Sequence, residues 1–139
     1  RDLFAPTSAK VANGEIKPKK VGPEITDAVL LPETRPRSVG KSRWRGVVLS
    51  IDSFGNVITN FRKTTTEVQA GHFVLQAGMG RVRAMHATFG DAPEGELFVY
   101  WGSSGYLEVG MKQARAASAL RIKTGAPVTL QVMERRRRV

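Results

Sequence analysis

Trp44-Arg45-Gly46-Val47-Val48-Leu49-Ser50-Ile51-Asp52-Ser53-Phe54-Gly55-Asn56-Val57-Ile58-Thr59-Asn60-Phe61 is the stretch that decides the fold. β-Branched and aromatic residues flank a turn bearing Gly and Asn, so Trp44 to Asp52 reads as a strand. Ser53 to Asn56 is then the turn and Val57 to Phe61 the returning strand. Outward from this hairpin the pattern repeats. Phe73 to Gln76 and Arg81 to Thr88 bracket Ala77-Gly78-Met79-Gly80, and Leu97 to Trp101 and Tyr106 to Val109 flank Gly102-Ser103-Ser104-Gly105. Pro127 to Met133 alternates Val128, Leu130 and Val132 inward as a final strand, and the Ala-rich Lys112 to Leu120 is the helix of the body. About seven short strands, Gly-rich turns and one helix predict a mainly β fold, a small closed or half-closed barrel or a sandwich.

Upstream of Trp44 the reading changes. Pro6 to Gly14 predicts a short helix, with Thr7 or Ser8 as its cap and Asn13-Gly14 as a left-handed stop. From Lys17 to Lys41, Pro18, Pro23, Pro32 and Pro36 break any periodicity and predict a linker, with at most a brief strand at Ala28 to Leu31. Residues 1–43 are thus expected to be helix plus linker, and residues 44–139 a barrel-like domain. A start in the middle of RDLFAPTSAK predicts a cut or truncated chain.

Composition bounds the function. With 139 residues there is room for one domain with a real core. No Cys is present, which excludes disulfides, thiol nucleophiles and thiolate metal sites. His72 and His86 are the only histidines, too few for a three-His zinc site, so no metal is expected. They read as surface or half-buried strand residues, and Trp44 and Trp101 as core. No apolar run approaches a membrane span, and with no signal region the expectation is a cytoplasmic protein. The net charge of +10 suggests nucleic acid at first. Four positives, however, form the run Arg135 to Arg138, and Arg35, Arg37, Lys41, Arg43 and Arg45 lie in a Pro- and Gly-bearing stretch. Without those nine, 13 basic residues face 12 acidic ones, a net of +1. The excess therefore belongs to segments expected to be flexible, which counts against nucleic acid as a partner.

Two loops could carry chemistry. In the first, Asp52, Phe54, Asn56 and Asn60 gather a carboxylate, a ring and carboxamides. Asn can pair with the donor and acceptor edge of adenine, Phe can stack on a purine, and Asp can accept from an ammonium or from sugar hydroxyls. Equally, Asp and Asn are turn formers and Phe54 would then be a core anchor. In the second loop, Ser103 and Ser104 between glycines let N–H groups and hydroxyls approach an anion such as a carboxylate. A plain polar turn fits the same residues. Glu108 follows, facing a pocket or solvent. The spacing is not that of a Ser nucleophile.

Ser50-Ile51-Asp52-Ser53-Phe54-Gly55-Asn56-Val57-Ile58-Thr59-Asn60 resembles the DxFGNxxTN signature of the S-adenosylmethionine hydroxide adenosyltransferases, a family that includes the fluorinases and chlorinases. Gly102 to Val109 is similar to the family's SSGYLE loop, and Arg1 to Pro6 to its GRDxFAP helix start. Val21-Gly22-Pro23, Thr88-Phe89-Gly90-Asp91 and Gly95-Glu96-Leu97-Phe98 also fit, in the right order along nearly the whole chain.

The resemblance implies an amino-terminal α/β domain, a linker and a carboxy-terminal β-barrel-like domain. Arg1 to about Asn13 would be the last helix of the first domain. It implies a homotrimer, with each site formed between one subunit's first domain and a neighbour's second. Asn56 would read the adenine edge, with Phe54 and Phe89 walling the ring. Asp52 would hold the methionine ammonium, and Ser103 and Ser104 its carboxylate. Tyr100, Glu108 and Ala117, the last in the stretch from Arg115, would sit near the nucleoside. The halogenases carry Arg at the position of Ser104, so Ser here, like Glu108, favours a water-using hydrolase. S-Adenosylmethionine would be the substrate and no cofactor is implied. Hydroxide would displace methionine from C5′ of the ribose and leave adenosine, with the water-activating residues in the first domain. Two other readings compete: a non-enzymatic basic barrel that binds nucleic acid through its Arg-rich termini, and a degenerate member kept as an oligomerisation piece.

Overall fold

The computed structural model describes residues 2–27, 35–64, 66, 68 and 71–133. The brief strand expected at Ala28 to Leu31 and the Arg135 to Arg138 run lie outside the described residues. The chain divides into two compact units, residues 1–31 and 32–139. In the first, helix α1 spans Phe4–Ala12 and stops at Asn13, followed by Gly14 at φ +74°. Neither Thr7 nor Ser8 caps it. Leu3 occupies that position without a side-chain hydrogen bond, and both hydroxyl residues fall inside the helix. A 3-10 turn follows at Pro18–Lys20.

The second unit is a nearly closed barrel. Its strands are β1 (Arg37–Ser38), β2 (Arg43–Ile51), β3 (Val57–Arg62), β4 (Phe73–Ala77), β5 (Gly80–Val82), β6 (Ala84–Met85), β7 (Leu97–Trp101), β8 (Tyr106–Met111) and β9 (Pro127–Val132), with helix α2 at Ala116–Leu120. The order across the sheet is β5-β4-β9-β2-β3-β8-β7-β6, and β1 adds to β2. The two end strands, β5 and β6, are consecutive in the chain and separated only by Arg83. The expected single strand Arg81 to Thr88 is therefore two short strands at opposite ends of the sheet, and this switch brings the ends together. β2 makes the other corner. Its first half pairs with β9 and its second half with β3, with the register shifting between Val48 and Ser50. Such a bulge bends the strand.

Alternation fills the interior. Val48, Val57, Phe61, Phe73, Leu75, Leu107, Val109, Val128 and Leu130 point inward, closed over by Ala116 and Leu120 of α2, and Trp44 and Trp101 pack against this core. Two polar residues of the DxFGNxxTN stretch serve the barrel itself. Thr59 donates its hydroxyl to Leu107 O at 2.7 Å, and Asn60 Oδ1 accepts the Val47 N–H at 2.9 Å. Asn60 thus supplies an acceptor near the β2 bulge, where the strand ladder is interrupted. The helix expected over Lys112 to Leu120 covers only its last five residues. Lys112 bridges to Glu94, Gln113 is left-handed at φ +58°, and Arg115 is extended. That segment is a loop because its side chains and backbone answer to the neighbouring strands rather than to Ala propensity.

Candidate binding site on the outer face of the barrel

In the turn Asp52 to Asn56, Asp52 Oδ1 accepts the N–H of Phe54 at 2.9 Å and of Asn56 at 2.8 Å, while Oδ2 accepts Asn56 Nδ2 at 2.8 Å. Partial burial pushes the Asp52 carboxyl up. The hydrogen bonds from the Asn56 side chain and from the Asn56, Phe54 and Gly55 backbone together outweigh it and hold the pKa below its ordinary value. A depressed folded-state pKa contributes stability that is present above the ordinary carboxylate range and is lost as pH falls through it. Urea unfolding at neutral and acid pH should therefore show the wild type losing stability on acidification. Asp52→Asn should start lower at neutral pH and show a flatter dependence; equal slopes would deny Asp52 this part.

Gly55 is required twice over. Its φ of +90° is left-handed, and a Cβ there would lie 2.7 Å from Cβ of Arg115. Its carbonyl accepts the Ala117 N–H at 2.9 Å, and Arg115 Nη1 donates to Ser53 O at 2.8 Å, so α2 and the turn hold each other. The turn leaves Phe54 76% exposed. Phe54 is not a core anchor. Asn56 is buried and, with one N–H committed to Asp52, keeps its second N–H and Oδ1 for another partner.

Phe89 arrives from the other side. It opens a 3-10 turn, Phe89–Asp91, whose Asp91 Oδ2 accepts from Thr88 N at 3.0 Å and Thr88 Oγ1 at 2.8 Å. This capping box fixes the ring edge-on to Phe98 and to Tyr100, each at 5.0 Å between centroids. Between the two loops lies an open cleft of about 570 Å³, walled by Phe54, Phe89 and Met111 and rimmed by Asn56, Gln113 and Arg115. Its size and mostly apolar lining with a few polar groups suit a small-molecule site.

Beside Phe89, Tyr100 donates its hydroxyl to Glu108 Oε2 at 2.6 Å across the β7–β8 pair. Burial, the bond to Glu108, the Glu108 charge and then the Asp52 charge all push the phenol well above its ordinary pKa. Gly102 makes this pairing possible, since a Cβ there would meet Glu108 Oε1 at 1.9 Å.

Of the nine residues singled out in the sequence, the structure brings Phe54, Asn56 and Phe89 to the cleft, with Asp52 behind the turn and the Tyr100–Glu108 pair beside Phe89. Ala117 is buried and acts through its N–H on Gly55 rather than in the lining. Ser103 and Ser104 are exposed at the β7–β8 hairpin tip, at the Arg62 end of β3, whereas the Asp52 turn is at the Val57 end. Neither serine borders the cleft. Met111, Gln113 and Ala114 were not anticipated. Gln113 is held by its Nε2 bond to Glu94 Oε1 at 2.8 Å, a long-range contact with no local signal. His72 and His86 are half-buried, and His86 Nε2 lies 2.8 Å from Glu96 Oε2. Among the described residues no three His, Asp or Glu gather as a metal site, and no helix is long and apolar enough to cross a membrane.

A barrel with this motif-bearing turn, capped Phe89 and Tyr–Glu pair on its outer face offers a cleft suited to a small molecule. The profile of the SAM hydroxide adenosyltransferase C-terminal domain matches residues 46–129, and the chain belongs to that family. It is 39% identical over 130 residues to an (R)-S-adenosyl-L-methionine hydrolase of Thermus thermophilus, with 94% of this chain and 47% of that protein covered. It is 32% identical to the protein of the same name from Salinispora arenicola, with 90% and 47% covered. Among solved structures, a conserved protein of Thermus thermophilus matches with TM-score 0.66 at 37% identity, over 94% of this chain and 51% of that one. A conserved protein of Thermotoga maritima matches with TM-score 0.70 at 27% identity, over 93% and 50%. The chain spans about half the length of the relatives it matches.

Proposed function

We propose that this chain is the nucleoside- and methionine-binding half of an S-adenosyl-L-methionine hydrolase that uses water or hydroxide to form adenosine and L-methionine. The observation that carries the reading is the cleft itself. Two aromatic rings, Phe54 and Phe89, stand at a space sized for a nucleoside, with the remaining hydrogen-bonding groups of Asn56 at its rim. The names of the relatives supply the substrate. In this reading Asn56 meets the adenine edge, Phe54 and Phe89 wall the ring, and the Tyr100–Glu108 pair lies near the ribose side. Asp52 takes the methionine ammonium and Ser103 with Ser104 the carboxylate. These two groups sit on one carbon, so this assignment requires one end of the substrate to meet both the turn and the hairpin tip.

The sulfonium is already a good leaving group, so no cofactor is needed and the protein's task is to position it and exclude bulk water. The cleft is open on one side, and an amino-terminal domain from a neighbouring subunit of a cytoplasmic homotrimer would complete it. Calorimetry with adenosine tests the assignment. The chain alone should bind weakly. In the full-length parent, Asn56→Ala should cost about 1–3 kcal/mol of binding, the penalty for an unpaired polar partner. Unchanged affinity in that variant would make Asn56 a turn residue only.

A further inference from the structure

The basic residues expected in a flexible stretch are partly built into the sheet. Arg37 lies in β1, and Arg43 and Arg45 in β2, all three exposed, whereas Gly46 and Val48 of β2 are buried. Register extends this outer face across five neighbouring strands. Arg37 is opposite Arg45, Arg45 opposite Thr129, Thr129 opposite Gln76, and Gln76 opposite Arg81. One step along, Arg43 Nε donates to Gln131 Oε1 at 3.0 Å, and Arg81 Nε donates to Gln76 Oε1 at 3.0 Å. These bonds hold both guanidinium groups by their stems and leave their outer N–H groups free to bond elsewhere.

β1, β2, β4, β5 and β9 contain no Asp or Glu. The described acids of residues 32–139 are Asp52, Asp91, Glu94, Glu96 and Glu108, and all lie in or next to β3, β7 and β8. None of these described carboxylates stands in the row from Arg37 to Arg81. Like charges directly opposite on paired strands repel, and no carboxylate of a described residue pairs with Arg37 or Arg45. An anion bridging them would relieve that repulsion.

We propose that this face binds the phosphodiester backbone of a nucleic-acid duplex. Repeated phosphates suit a row of guanidinium, hydroxyl and carboxamide donors. Four strand spacings make the row roughly 19 Å long, measured along the curved sheet, enough for its donors to reach several successive phosphates. A single strand fits less well, because base stacking needs exposed rings. The two aromatics of these strands, Trp44 and Phe73, are turned to the core. A membrane fits less well because Val47 and Val74 are half-buried and offer nothing to insert. The proposal does not rest on the hydrolase reading.

Fluorescence anisotropy of the 139-residue chain with a labelled DNA duplex of about 20 base pairs, between about 50 and 200 mM salt, tests it. Binding should weaken steeply with salt. Arg37→Gln, Arg45→Gln and Arg81→Gln together should lower affinity at least about tenfold and reduce the log–log salt slope by about three. The triple Lys variant should retain most binding, and a thermal melt like the wild type would show that the Gln variant is folded. Wild-type binding by the folded Gln variant overturns the proposal. So does loss of binding only when Arg135 to Arg138 become Gln, or binding to phosphatidylserine vesicles with none to the duplex.

Discussion

Incubated with S-adenosylmethionine, the 139-residue chain is expected to release no measurable adenosine, and supplying an amino-terminal half, in trans or by restoring one chain, is expected to produce turnover. On the proposed assignment the groups here only hold the substrate, and holding the ground state does not lower the barrier to attack at C5′. The two carboxylates among the assigned site residues are already engaged. Asp52 accepts three N–H groups, and Glu108 accepts the Tyr100 hydroxyl. No His borders the cleft. Its open side also admits bulk water, which would solvate hydroxide and blunt its attack. The assay follows adenosine and methionine by chromatography. Steady release by the chain alone, abolished by Glu108→Gln, would place the base in this half and overturn the division of labour.

Phe61→Ala should be the most damaging substitution for the fold, costing about 3–5 kcal/mol. Phe61 is fully buried and lies under β2, where a Cβ on Gly46 would come within 2.8 Å of its ring. Truncation leaves a cavity that a closed barrel cannot collapse without breaking the β2–β3 pairing. Domains of this size have about 5–15 kcal/mol in total, so the variant should melt far lower or fail to fold. Phe54→Ala is the control. With its ring exposed, its loss should leave the melting temperature within a few degrees of wild type while removing adenosine binding by the completed enzyme. A variant pair with the opposite pattern would exchange the structural and binding roles of the two rings.

The contrast between these phenylalanines shows what the sequence carried. Strand alternation in Phe73 to Ala77 and Pro127 to Val132 and the glycines between strands were legible because they reflect local periodicity and turn chemistry. So was the cluster Asp52, Phe54 and Asn56, since a five-residue turn keeps its members together. Local pattern did not reveal the break at Arg83, which has no Gly or Pro. It arises because the chain there passes from one end of the sheet to the other. The loop from Lys112 to Arg115 was hidden by Ala-rich composition, although contacts with Glu94, Gly90 and Ser53 set its shape. The Tyr100–Glu108 bond depends on strand register, which eight residues of sequence separation do not encode. Most consequential was Arg37 to Arg45, where charge and proline suggested mobility but strand pairing imposes order.

β9 lies between β4 and β2, joining residues 73–77 to residues 43–47 through the segment 127–132. During synthesis this middle plank arrives after every other strand of the barrel. Until residue 132 leaves the ribosome, β4 with β5 has no place to dock, and the first half of β2 carries a bare row of N–H and C=O groups. Such an edge is a template for pairing with other chains. Translation runs at about 5–20 residues per second, so the nascent domain spends several seconds in this incomplete form. Its Arg-bearing edge, Arg43 and Arg45 on β2, repels a second copy during that interval, and the face that carries the fold's surplus charge also guards its assembly.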